Sequence, residues 1–130
     1  MSLAMKHERH MTYADYLTFP LDEHWEILEG VPYAMSPAPS RIRQRVSGRL
    51  FRQLDAFLEQ KDCEVYYAPF DVRLPAGEET EEEVTTVVQP DLVVVCDPDK
   101  LDEKGCLGAP DLVIEIISPS TASMDNIKKL

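Results

Sequence analysis

Two stretches decide the fold: Val87-Val-Gln-Pro-Asp-Leu-Val-Val-Val95 and Leu112-Val-Ile-Glu-Ile-Ile117. Each is an aliphatic, β-branched run of strand length. Each is interrupted by one carboxylate, Asp91 in the first and Glu115 in the second. A carboxylate at a buried strand position is costly unless it is paired, protonated or bound to a metal. The two acids stand 24 positions apart, enough for neighbouring strands and their connection. Neighbouring strands lie roughly 4.8 Å apart, so acids on one face can share a cation. Mg²⁺ suits such a pair, because it prefers oxygen ligands, uses few carboxylates and keeps waters. Each acid alone reads as structural, Asp91 turning the chain after Pro90 and Glu115 on a wet sheet face. Asp91 and Glu115 together put a metal site beside that structural reading. Asp111 repeats the Pro-Asp-Leu-Val pattern at the start of its run and reads as a turn residue.

Working outward, Glu64 to Leu74 is strand-like and alternates at period two over Phe70-Asp-Val-Arg-Leu74. Thr85 to Val95 is read as a further strand, with Pro90-Asp91 inside it. The strongest helix is Arg41 to Gln60, where Ile42, Val46, Leu50, Leu54, Phe57 and Leu58 form one apolar stripe. Ser40 is its expected N-cap. Thr12 and Asp15 have capping-box spacing and open a short helix that Pro20 should stop. Trp25 to Met35 reads as a β-hairpin turning at Glu29-Gly30, with Pro32 demanding an edge position or a bulge. A final helix is expected from Ser123. The order helix, hairpin, long helix, three strands, helix predicts an α/β or α+β domain. One mixed sheet carries the long helix across it.

The chain has 130 residues, a one-domain length, and a formal charge of −11. That excess argues against a nonspecific polyanion binder, which normally shows a basic face. The charge is uneven, however. Glu78, Glu79, Glu81, Glu82 and Glu83 form an acidic loop, expected to be solvated and disordered. Arg41, Arg43, Arg45, Arg49 and Arg52 make the long helix basic. Cys63, Cys96 and Cys106 are odd in number and irregularly spaced. They fit reduced cytosolic thiols best, although one bridge stays open. His7 and His10 stand in a polar tail and are not read as a metal site. No apolar run approaches the roughly 20 residues of a membrane span. No secretory signal is visible, and the expected location is cytoplasmic. Residues 1–11 read as a tail or leader with a second start at Met11, and residues 12–130 as the domain.

These segments resemble the Uma-two family of "putative restriction endonucleases", within the PD-(D/E)XK nuclease superfamily. The resemblance runs from Met11 to Leu130. It is carried by Trp25-Glu-Ile-Leu-Glu-Gly30, Met35-Ser-Pro-Ala-Pro-Ser40, Gln44-Arg-Val-Ser-Gly-Arg-Leu50, Val88 to Val95, and Gly108-Ala-Pro-Asp-Leu-Val-Ile-Glu-Ile-Ile-Ser-Pro-Ser-Thr121. It implies a restriction-endonuclease-like core with Asp91 and Glu115 as the two metal-binding acids. Glu26 matches a further acid, a third metal ligand or a water-positioning group. The superfamily lysine normally follows the second acid by two residues, where this chain has Ile117. Lys129, in the following helix, matches in its place. The family tends to carry His where this chain has Arg43, and arginine stays protonated, so no acid/base role is carried over there.

The resemblance thus implies a Mg²⁺-dependent DNA endonuclease, with Mn²⁺ as a possible substitute and a homodimer as the typical assembly. The alternative is a catalytically inactive nuclease-fold module that binds nucleic acid or protein. An acidic scaffold or inhibitor would fit the charge but leaves the embedded acids unexplained. Ile127-Lys-Lys-Leu130 ends as a helix begins, so the domain is expected to be C-terminally incomplete. An exposed apolar edge is expected near residues 112–117.

Overall fold

A computed structural model describes residues 10–35 and 40–117. Helix α1 spans Tyr13–Tyr16, and the hairpin strands β1 and β2 span Trp25–Leu28 and Val31–Ala34. Helix α2 spans Arg41–Leu58, followed by β3 (Glu64–Tyr67) and β4 (Asp71–Arg73). Then come β5 (Val87–Val88), β6 (Leu92–Val95), β7 (Leu101–Asp102), β8 (Gly105–Leu107) and β9 (Leu112–Ile114). Short 3-10 turns cover Glu81–Glu83 and Pro98–Lys100.

The expected mixed sheet is present, with six strands in the order β2-β1-β5-β4-β8-β7. Its β4–β8 pair is parallel and the others antiparallel. A second, antiparallel sheet, not foreseen in the sequence, has the order β3-β6-β9. Two runs read as single strands are therefore divided. Glu64 to Leu74 passes from the small sheet to the large one around Pro69. Thr85 to Val95 passes back at Gln89-Pro90-Asp91. Proline has no N–H to give to a ladder, so both runs break where a proline stands. The two crossings are tied together where the Ala68 N–H donates to the Asp91 carbonyl, 3.1 Å away.

Strand β6 explains its unbroken aliphatic sequence. Val93 and Val95 join Val72 and Cys106 in a core facing the large sheet. Val94 joins Val65 and Leu58 on the opposite side, under α2. The small sheet thus has a helix on one face and strands on the other. A strand covered on both faces reads as continuous hydrophobe rather than as an alternation. Each buried valine contributes about 1.5–3 kcal/mol.

Several local expectations hold. Thr12 and Asp15 form the capping box, and the Ser40 side chain caps α2 by accepting from the Arg43 N–H. The hairpin turns at Glu29 and Gly30, both with positive φ, and Pro32 lies on the edge strand β2. The α2 stripe is a correction. Leu58 is buried, but Ile42, Val46 and Phe57 are exposed, and the helix packs instead through Phe51, Leu54 and Leu58. The acidic loop is a second correction. Glu79 accepts from the N–H groups of Ala76 and Gly77, while Glu81 pairs with Arg73, which is fully buried. A buried guanidinium needs carboxylate partners, and the loop supplies one.

The third correction concerns the cysteines. Cys63 and Cys96 form a disulfide, and only Cys106 is a free, buried thiol. The β3–β6 register pairs Glu64 with Val95, so the bridge joins the next pair of opposed positions. The edge strand β9 exposes Leu112 and Val113, and Ile117 just beyond it is also exposed, as expected. The expected terminal helix lies outside the described residues.

Candidate active site

The crossing at Gln89-Pro90-Asp91 brings the sequence-predicted acids to one end of the small sheet. The β6–β9 ladder pairs Leu92 with Ile114. Counted one step past the end of this ladder, the register aligns Asp91 with Glu115, which lies just beyond β9. Directly opposed antiparallel positions share a sheet face. Glu115 is half-buried. Asp91 is anchored from both sides. Its Oδ2 accepts from the Ile116 N–H at 2.7 Å, which ties it to the chain just past β9. Arg43 Nη2 donates to both of its oxygens, at 3.2 and 3.1 Å.

Glu26 lies on β1 in the large sheet and is fully buried. Its Oε2 accepts from the Gln89 N–H at 2.8 Å. It therefore grips the backbone two residues before Asp91. Lys129 lies outside the described residues. Asp111 stands at a bend entering β9, as expected of a turn residue, and its Oδ2 also accepts from the Cys96 N–H at 2.6 Å, 15 residues away.

Around this centre the structure adds groups that sequence reasoning passed over. Gln89 Nε2 donates to the Tyr16 hydroxyl at 2.6 Å and to Asp71 Oδ1 at 2.8 Å. The Tyr16 hydroxyl also donates to Asp71 Oδ1, at 2.8 Å. Burial and the Asp71 charge push the Tyr16 hydroxyl far above its ordinary pKa, so it stays protonated. The available signal was Gln89 itself, a polar residue inside an aliphatic run beside Pro90-Asp91.

A recess of about 360 Å³ opens beside Asp91. Arg43, Gln44 and Ser47 from α2 form its polar wall, and Phe51 and Tyr67 form its apolar one. The rings of Phe51 and Tyr67 meet edge to face at 5.0 Å.

Asp91 and Glu115 are hard oxygen donors of the type a small divalent ion takes. Among the described residues, no three His, Cys, Asp or Glu side chains are gathered closely enough to hold a metal ion. Arg43 already supplies a positive charge at Asp91. The pair thus fits a hard cation in donor chemistry and register, while Arg43 competes with it for the same oxygens.

A family model described as "Uma2: Putative restriction endonuclease" matches residues 12–130. The chain also superposes on the crystal structure of a "putative nuclease belonging to DUF820" from Anabaena variabilis ATCC 29413. That match has a TM-score of 0.67 at 17% identity, covering 92% of this chain and 65% of the other. The chain thus spans less than two thirds of that protein, and the likeness is one of fold. No curated protein matches the chain in sequence. Among the described residues, no helix is long and apolar enough to cross a membrane.

Proposed function

Since the chain belongs to the Uma2 family, whose description is "Putative restriction endonuclease", we propose that it is a Mg²⁺-dependent DNA endonuclease centred on Asp91 and Glu115. The observation that carries this is the register opposition of the two acids one step beyond the β6–β9 ladder. The nuclease-like fold supports it, and the recess beside Asp91 offers room for a phosphodiester.

In this reading Asp91 and Glu115 would hold the metal, Mg²⁺ or Mn²⁺. Such an ion would supply Lewis-acid chemistry for the hydrolysis of a phosphodiester. The chain's own residues bind and orient the substrate. Arg43, Gln44 and Ser47 present N–H and O–H donors along one wall of the recess, suited to phosphate oxygens. Glu26 fixes the Gln89 backbone and with it the position of Asp91. Alternatively it turns to the metal as a third ligand. Lys129 is assigned the steadying of the developing negative charge. A DNA substrate goes with a cytoplasmic setting, where the Cys63–Cys96 bridge would meet reductants. A homodimer formed through the exposed β9 edge would cover Leu112 and Val113.

The test is nicking of supercoiled plasmid by the purified chain in Mg²⁺, in Mn²⁺ and in chelator. Cleavage that needs the cation and disappears in Asp91→Asn and Glu115→Gln supports the proposal. Cleavage that survives both substitutions refutes it. No cleavage, with no measurable cation binding, favours the inactive-module alternative.

A further inference from the structure

A second cavity has Gln89, two residues before Asp91, in its lining. It is a cleft of about 560 Å³, larger than the recess at the candidate active site. Five aromatic side chains line it: Tyr16, Phe19, Trp25, Tyr66 and Phe70. Tyr16, Phe19 and Trp25 form a chain of ring contacts, with centroids 5.9 and 5.4 Å apart. Tyr66 and Phe70 stack in parallel at 4.5 Å. All five rings are partly buried, and Tyr16 and Phe70 also pack against the core, so the cleft is walled by aromatic side chains that keep part of their surface open to it.

The polar lining is one-sided. Among the described residues, Glu23, Asp71, Asp102 and Glu103 line the cleft against one ammonium, Lys104, and one imidazole, His24, and Glu23 accepts from the Trp25 indole N–H at 2.9 Å. Lys104 Nζ lies 3.3 Å from Glu81 and over the Tyr13 ring, so its charge is already engaged. Asp102 is likewise engaged with Arg73. Asp71 is the acid set among the rings. Its Oδ1 accepts from Tyr16 and Gln89, and among the described residues no hydrogen bond reaches its Oδ2. Tyr16 donates a hydrogen bond to Asp71 but, as a neutral hydroxyl, does not cancel its charge.

We propose that this cleft binds a compact organic cation, an alkylammonium or guanidinium group of side-chain size. Ring faces carry negative quadrupole potential and attract such a cation. They also displace water from it, which strengthens its attraction to Asp71. Four carboxylates would repel a phosphate, so the cleft does not suit a nucleic-acid backbone. A neutral ligand would gain the apolar contact but leave the charge of Asp71 uncompensated. The proposal does not depend on the nuclease reading, and it is tested without any cleavage assay.

Trp25 is the chain's one tryptophan and it lines the cleft, so its fluorescence reports occupancy directly. The intact chain is titrated with choline, with agmatine, and with 3,3-dimethylbutanol, the neutral shape-mimic of choline. A saturable change in Trp25 emission is expected for one or both cations. Binding by the neutral alcohol should be about tenfold weaker or worse. Asp71→Asn should weaken cation binding by a similar factor. Because that change also touches the Tyr16–Gln89 network, Glu103→Gln is measured beside it. Glu103 is exposed and outside that network, and its loss should cost about twofold, an effect that added salt erases. Equal binding of choline and the alcohol would overturn the proposal in favour of a merely apolar cleft. Tighter binding of adenosine than of either cation would overturn it in favour of a base pocket. No saturable signal from any of these probes at tens of millimolar would overturn it outright. A basic peptide that binds far tighter than agmatine would identify the cation as a protein side chain rather than a free amine.

Discussion

Arg43 Nη2 reaches both carboxylate oxygens of Asp91, at 3.2 and 3.1 Å, across 48 residues of sequence. Both side chains are 18% exposed, so the pair is partly shielded from water. An internal guanidinium thus occupies the oxygens that a divalent ion would use. Arg43→Ala should therefore raise Mn²⁺ affinity, by about tenfold given this shielding. Isothermal titration of both chains checks this. Unchanged or weaker binding in the variant would mean that Arg43 does not compete with the cation.

Asp91 is also a structural anchor. Its Oδ2 takes the Ile116 N–H, and Arg43 depends on it for charge pairing. Asp91→Asn is expected to lower stability by about 1–3 kcal/mol in chelator, as well as to abolish cleavage. Glu115→Gln should abolish cleavage too. Chemical denaturation of Asp91→Asn reads the stability cost, and a variant as stable as the parent would contradict the anchoring role.

Arg73 is fully buried between Glu81 and Asp102 and lies over the Tyr13 ring. Removing the acids strands a buried charge, whereas removing the arginine leaves two carboxylates that can turn to water. The double variant Glu81→Gln, Asp102→Asn should lose about 3–5 kcal/mol, and Arg73→Met about 1–3 kcal/mol. Denaturant titration that reversed this order would show Arg73 to be held mainly by packing.

The same cluster sets an acid limit. Burial pushes the Asp102 carboxyl up, but the Arg73 hydrogen bond and charge, with the N–H groups of Lys104 and Gly105, hold it below its ordinary value. A depressed folded-state pKa contributes stability that is present above the unfolded value, about 3.9. That contribution is lost as pH falls through the lower folded value. Melting temperature should fall more steeply below about pH 4 in the parent than in Asp102→Asn. Parallel curves would remove Asp102 from the acid response.

The Cys63–Cys96 bridge closes a loop of sequence separation 33 between β3 and β6. By loop-closure entropy it contributes about 3–4 kcal/mol. Replacing both cysteines by serine should lower the denaturation midpoint accordingly. The same loss is expected on adding a reductant to the parent, and an unaffected midpoint would mean that the bridge does not form in solution.

The sequence by itself determined what local chemistry can fix. Ser40 and the Thr12–Asp15 box set helix starts, because a cap is satisfied within three residues. Glu29-Gly30 set the hairpin, because its positive φ values are a property of the turn itself. Asp91 and Glu115 stood out because a charge inside an aliphatic run needs a reason, and the β6–β9 register, counted one step on, aligns them. Only the tertiary structure decided which sheet each run joins, since a strand's periodicity does not name its partner. Pro69 and Pro90 broke the runs, but nothing local says that the chain changes sheets there. Nor could the α2 stripe reveal which side faces β3 and β6, because Ile42 and Leu54 are equally apolar and only docking distinguishes them. The partners of Arg73, the disulfide and the Arg43–Asp91 pair are contacts across 8 to 48 residues. Such pairings are chosen by where the backbone brings charges and sulfurs together, which no one segment encodes.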